Sequence, residues 1–364
     1  MNFEGLLVSM AEQGASDLYL KVGNKPFLRV NGQLVPQGVE KLTQEQVEDL
    51  ARQLMGPERA VSFKSQLEMN FAFERHGLGR FRANTLLQKG SFALVIRRIK
   101  REVQTFDDLH LPSKVLVELA MQRRGLVLVT GATSNGKSTT VAALLDYINQ
   151  HAAKHIVTLE DPIEFVFEED QSIINQREIG TDTHSFSEAL RNVLRQSPDV
   201  IFISDIRDTE TMSSALTAAE AGNLVLSCLH TVNVENTIER LVTFFPPHQH
   251  QQVRLRLSII LQGIVSLRLL PRQDGQGRIP ACEVLVATPT IRELLREGRT
   301  SELSVYMEDG AMFGMQTFNQ SLADLVREGY VTLEEARRHA DSPDELELAL
   351  RQIRQTKAVR PPSP

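Results

Sequence analysis

The string Gly131-Ala132-Thr133-Ser134-Asn135-Gly136-Lys137-Ser138 restricts what this chain can fold into more than any other feature of it. It fits G-x-x-x-x-G-K-[ST], and it stands where that pattern has a mechanism: after an apolar, β-rich run at 125–130 and before a window of helical spacing at 138–148. Glycines let backbone amides turn toward a phosphate, a lysine supplies charge to the β and γ phosphates of a nucleotide, and the next hydroxyl is offered to Mg²⁺. The residues expected to line ATP are Gly131, Ala132, Thr133, Ser134, Asn135, Gly136, Lys137, Ser138 and Thr139, with Ser138 as the Mg²⁺ ligand. The bland reading is an ordinary glycine-rich turn, which the strand before it and the helix after it disfavour. Within the loop, any position requiring φ > 0 suits Asn135 better than Ser134, so the sequence predicts weaker nucleotide binding than a glycine-richer loop provides.

Alternation continues downstream. Short apolar runs at 155–160, 199–205 and 223–230 are separated by helical windows, one capped by Ser185 with Glu188, another at 209–221 closed by Gly222. Buried strands alternating with helices predict an α/β unit, a mostly parallel sheet with helices on its faces. From His248 onward the sequence reads mainly as helices, and the polar, proline-rich 357–364 is expected to be a disordered tail.

The first hundred residues read differently, as a small α+β domain of short alternating strands. Asn31-Gly32 supplies the positive φ angles of a two-residue hairpin turn, and Thr43 with Gln46 forms a capping box ahead of Val47, Leu50, Ala51 and Leu54. That helix is the one helical window expected there. The predicted organisation is an N-terminal domain at 1–100, a linker at 101–112, an ATP-binding core at 113–290, a helical region at 291–356 and the tail.

A length of 364 residues suits two domains, and 41% apolar with 24% charged residues is the composition of a soluble globular protein. A net charge of -6 argues against nonspecific DNA binding as the main task, so nucleic acid is not expected as a partner. Cys228 and Cys282 lie far apart without C-x-x-C spacing, which points to reducing cytoplasm. Residues 1–14 lack a basic start before an apolar run, and no apolar stretch approaches the ~18 residues of a membrane span.

Beyond the phosphate loop, Asp161-Pro162-Ile163-Glu164, Pro198-Asp199, Ile206-Arg207-Asp208 and Leu229-His230-Thr231 resemble, in order and spacing, the Asp box, Walker B and His box of type II and type IV secretion ATPases. Ser16-Asp17-Leu18-Tyr19-Leu20, Gly79-Arg80-Phe81-Arg82 and the run from Ile291 to Gly298 resemble the pilus retraction group, PilT and PilU. Gly314 to Phe318 and His339 to Ser342 look closer to the PilU branch.

This resemblance implies a RecA-like core with a PAS-like N-terminal domain, assembled as a homohexamer whose active sites lie between subunits. By correspondence it implies Glu164 and Asp205 as catalytic carboxylates, His230 as γ-phosphate sensor, and Arg82 and Arg97 as arginines donated by a neighbour. Each has a plainer alternative: a surface carboxylate for Glu164, a satisfied histidine for His230, solvated charge for Arg82. Glu160 and Asp161 position the loop in another reading. The implied setting is cytoplasmic, peripheral at the inner membrane through a pilus platform protein, with a second pilus ATPase as a further partner.

The chain departs from the family where Walker B normally ends Gly-Glu and here reads Ser204-Asp205. Two roles stay open: a working motor for pilus retraction, or a nucleotide-binding accessory ring with weak hydrolysis. A DNA-translocating enzyme is disfavoured by the acidic balance and by the Asp and His boxes.

Overall fold

A computed structural model of the chain describes residues 2–30, 32–99, 102–348 and 350. These fall into two compact units, Met1–Glu102 with Pro162–Glu168, and Val103–Asp161 with Glu169–Pro364. The segment expected as a linker begins to join the second unit at Val103, where Phe106 and Leu111 are buried; Lys100 and Arg101 lie outside the described residues.

The first unit is an antiparallel six-stranded sheet of β1 (Asp17–Lys21), β2 (Phe27–Val30), β3 (Gln33–Pro36), β4 (Glu68–Arg75), β5 (Gly79–Gln88) and β6 (Ser91–Arg98), in the order β3-β2-β1-β6-β5-β4. Strand side chains alternate between faces. Leu18, Leu20, Phe81, Ala83, Leu94 and Ile96 therefore meet the helices Phe3–Glu12 and Gln44–Gln66 in one core. Val30 pairs with Gln33, leaving two positions for the turn, of which Gly32 has φ 82° and Asn31 lies outside the described residues. Both halves of the Thr43 and Gln46 capping box form. The helix Phe3–Glu12 is additional to the expected single window; it is short, and it contributes Leu7 and Met10 to the core.

The second unit carries a seven-stranded sheet of β7 (Gly125–Thr130), β8 (His155–Glu160), β9 (Ile173–Glu178), β10 (Val200–Ile203), β11 (Leu224–Leu229), β12 (Leu261–Pro271) and β13 (Arg278–Val286), ordered β13-β12-β7-β11-β10-β8-β9. Only β13 runs antiparallel to its neighbour. β7, β10 and β11 are buried at every position, as strands covered on both faces must be, and helices such as Thr209–Glu220 pack against them.

The long hairpin β12–β13 corrects the expectation that the chain beyond His248 is mainly helical. Leu261–Pro271 is apolar at most positions because most of it is buried, and periodicity cannot distinguish such a run from a buried helix. Helices follow it, among them Pro289–Glu297, Phe318–Arg327 and Leu333–His339. The last two bury Phe318, Leu322 and Ala336 against Leu270 and Ile279 of the hairpin. Residues 351–364, including the expected tail, lie outside the described residues.

Candidate nucleotide site

Four neighbouring parallel strands, β7, β11, β10 and β8, end on one side of the second unit, and in such sheets ligands collect at the carboxyl ends of strands. β7 runs into the glycine-rich loop, where Gly131 has φ 145° and Gly136 φ 90°. A Cβ on Gly131 would stand 2.6 Å from the carbonyl oxygen of Leu267, so that position excludes a side chain as well. Gly136 then starts the helix Lys137–His151 without a capping side chain, which leaves first-turn amides facing the loop for an anion. Ser138 and Thr139 stand half-buried in that first turn.

Ser134 takes the left-handed conformation, with φ 67°. The positive-φ position therefore falls on Ser134, the residue expected to suit it less well than asparagine. Asn135 is instead used for its side chain, whose Nδ2 donates to Leu267 O at 3.2 Å, while Arg278 Nη1 donates to Ser134 O at 3.3 Å. A non-glycine residue held at positive φ costs on the order of 1 kcal/mol, which glycine avoids, less part of its greater unfolded-state entropy. Ser134→Gly is expected to raise the melting temperature of the ATP-free protein by roughly 2 °C. A lower melting temperature would show that the loop is not strained there.

Lys137 is buried, and its Nζ donates to Gly131 O at 2.8 Å and Ala132 O at 2.9 Å. The same ammonium lies 3.2 Å from Nδ1 of His230, the residue after β11. His230 Nε2 is 3.7 Å from Oδ2 of Asp205, two residues beyond β10. Asp205 is buried, and its Oδ2 accepts from Arg207 Nε at 2.7 Å. Arg207 Nη1 reaches Asp161 Oδ2 at 3.3 Å, just past β8, and the Asp161 amide donates to Ser204 Oγ at 3.2 Å. The hydrogen bond to Asp205 is the main reason the Arg207 guanidinium is held above its ordinary range. One unbroken run of contacts thus crosses four strand ends with alternating charge. Glu160 is turned inward, accepting from Thr158 Oγ1 at 2.6 Å and Gln176 Nε2 at 3.2 Å.

The remaining predicted residues gather in the first unit. Arg82 and Arg97 sit directly opposite each other on β5 and β6, where like charges repel. Buried Asp17, opposite Arg97 on its other side, offsets that repulsion by accepting from Arg97 Nε at 2.8 Å. This hydrogen bond, opposed by partial burial, raises the Arg97 guanidinium above its usual range, and Glu164 adds a smaller pull of the same sign. Glu164 is exposed, on the stretch 162–168 that belongs to the first unit.

The structure therefore joins Lys137, His230 and Asp205 in one unit and Arg82, Arg97 and Glu164 in the other. Sequence reasoning assigned no role to Arg207 or Asp17, although both lie in motifs it singled out. An arginine two residues from a strand-end carboxylate was the available signal for the first.

The chain belongs to the type II/IV secretion system protein family, which matches residues 5–338. It is 42% identical over 351 residues to the type IV pilus ATPase PilU of Pseudomonas aeruginosa, covering 96% of this chain and 92% of that protein. It is also 42% identical over 344 residues to the type IV pilus retraction ATPase PilT of the same organism, covering 94% and 99%. The crystal structure of the pilus retraction motor PilT with bound ADP superposes with a TM-score of 0.89 at 43% identity, covering 96% of this chain and 99% of that one. The expected RecA-like core with a smaller N-terminal α+β domain agrees with that likeness.

Proposed function

We infer that this chain hydrolyses ATP and that the hydrolysis drives retraction of type IV pili. The observation that carries this reading is the run from Lys137 through His230 and Asp205 to Arg207 at the mouth of the glycine-rich loop. Likeness to relatives named as pilus ATPases supports it.

In-line attack of water on a γ phosphate needs a carboxylate to orient the water and cations to take up developing charge. Lys137 exchanges two loop carbonyls for the β and γ phosphates, and the open first-turn amides hold the rest of the phosphate chain. Asp205 orients the water, and His230, between Lys137 and Asp205, reads whether the γ phosphate is present; Glu164 is assigned a catalytic role by correspondence with the family alone. Ser138, half-buried in the first turn, would hold Mg²⁺, which would supply charge neutralisation at the phosphates.

Arg82 and Arg97 present paired positive charge on one sheet face, and in the proposed homohexamer they serve the neighbouring subunit's nucleotide. Asp205, in place of the family's glutamate and tied to Arg207, favours slow turnover, which also suits an accessory ring assisting a second pilus ATPase. The platform protein at the inner membrane remains the proposed docking partner; among the described residues no helix is long and apolar enough to cross a membrane.

In a deletion strain, the wild-type chain is expected to restore pilus retraction and Lys137→Ala to fail at equal abundance. Retraction restored by Lys137→Ala would remove ATP from the account.

A further inference from the structure

One buried carboxylate near the site takes no part in the chemistry above. Glu283 on β13 pairs in register with Ser266 on β12, Ser266 with Thr130 on β7, and Thr130 with Leu229 on β11. This single row across four strands ends one residue before Gly131 and one residue before His230. Its polar members are all buried. Thr130 Oγ1 donates to Ser266 Oγ at 2.9 Å, and Ser266 stands directly opposite Glu283 in the register, where its hydroxyl exerts a small favourable pull on the carboxylate. Glu283 Oε2 accepts from the amide of Val234 at 2.7 Å. Val234 opens the helix Val234–Thr243, four residues after His230.

Placing three polar side chains inside a sheet is unfavourable unless each finds a partner, and here each does. The return is positional: the base of the nucleotide loop and the helix after the histidine are tied to the same carboxylate. Burial pushes the Glu283 carboxyl up to about 7 against the opposing pull of the Val234 amide. Arg268 and Asp341 are the charged groups that face it. Arg268 also binds Asp341 Oδ1 at 2.6 Å and the His339 carbonyl at 2.6 Å, and reaches Val232 O at 3.5 Å.

We propose that Glu283 is a positioning residue that, through Ser266 and Thr130 on one side and the Val234 amide on the other, fixes His230 relative to the phosphate loop. This rests on His230 acting at the γ phosphate. Removing the carboxylate leaves the Val234 amide unpaired and frees the segment 230–234 to shift, while Lys137 and the loop glycines stay in place.

The test is a double-mutant cycle on the full-length protein, reading kcat and ATP affinity separately, with melting curves to establish that each variant is folded. Glu283→Ala is expected to lower kcat by about tenfold, the scale of a sub-ångström misplacement, with ATP affinity changed by less than about twofold. Glu283→Gln keeps an acceptor for Val234 and is expected to recover most of the loss. Adding Glu283→Ala to His230→Ala should cost little beyond His230→Ala alone, because both changes act through one imidazole. Losses that multiply, or Glu283→Gln as impaired as Glu283→Ala, overturn the positioning role and leave the reading of His230 standing. A His230→Ala protein with wild-type kcat overturns both.

Discussion

Lys137→Ala is expected to bind ATP about 10- to 100-fold more weakly than the wild type while remaining folded, measured by titration calorimetry with melting curves alongside. The size follows from losing charge-assisted hydrogen bonds, worth roughly 1.5–3 kcal/mol. Folding is spared because the contacts of the ammonium with Gly131 O, Ala132 O and His230 Nδ1 lie at the loop and a strand end, not in the apolar core of the sheet. Alanine also suits the first position of a helix. Unchanged affinity would remove the phosphate assignment from this loop.

The larger effect is expected on turnover, at Asp205. Asp205→Ala removes the water-orienting carboxylate and should lower kcat on the order of a hundredfold or more, with ATP affinity nearly unchanged, because such a group acts chiefly in the transition state. Asp205→Glu is expected to raise kcat. An aspartate withdraws its carboxylate by up to about 1.5 Å relative to glutamate, and a displacement of about 1 Å at a reacting centre is costly in rate. The longer side chain can keep its ion pair, because the Arg207 side chain is 61% exposed and its second partner, Asp161, is itself exposed. Parallel phosphate-release assays decide: a fall with glutamate contradicts the extension argument, and an unchanged rate with alanine removes Asp205 from catalysis.

What could be read before the fold was known follows from the range of the interactions involved. The phosphate loop is legible because its chemistry is local: glycines, lysine and serine at fixed spacing between a strand and a helix do their work within a few residues of one another. The hairpin β12–β13 was not, because burial makes Leu261–Pro271 apolar at most positions and erases the alternation that marks a strand. Which loop residue takes the positive φ was left open, because it falls on Ser134 while the side chain of Asn135 is held by Leu267 O, 132 residues away. Glu283 depends wholly on sheet order. Nothing near it in sequence shows that β12 lies between β13 and β7, and only that order connects it through Ser266 to Thr130. The contact of Arg207 with Asp161 and that of Arg97 with Asp17 likewise depend on which strands become neighbours, although the residue types were visible.

The central claim is that the cluster of Lys137, His230 and Asp205 hydrolyses ATP. The most direct test is steady-state phosphate release by the purified wild-type protein with ATP and Mg²⁺, against Lys137→Ala prepared in parallel. The account predicts Mg²⁺-dependent release by the wild type, slow for this family and lost in the variant; release by the wild type no faster than by Lys137→Ala would contradict it.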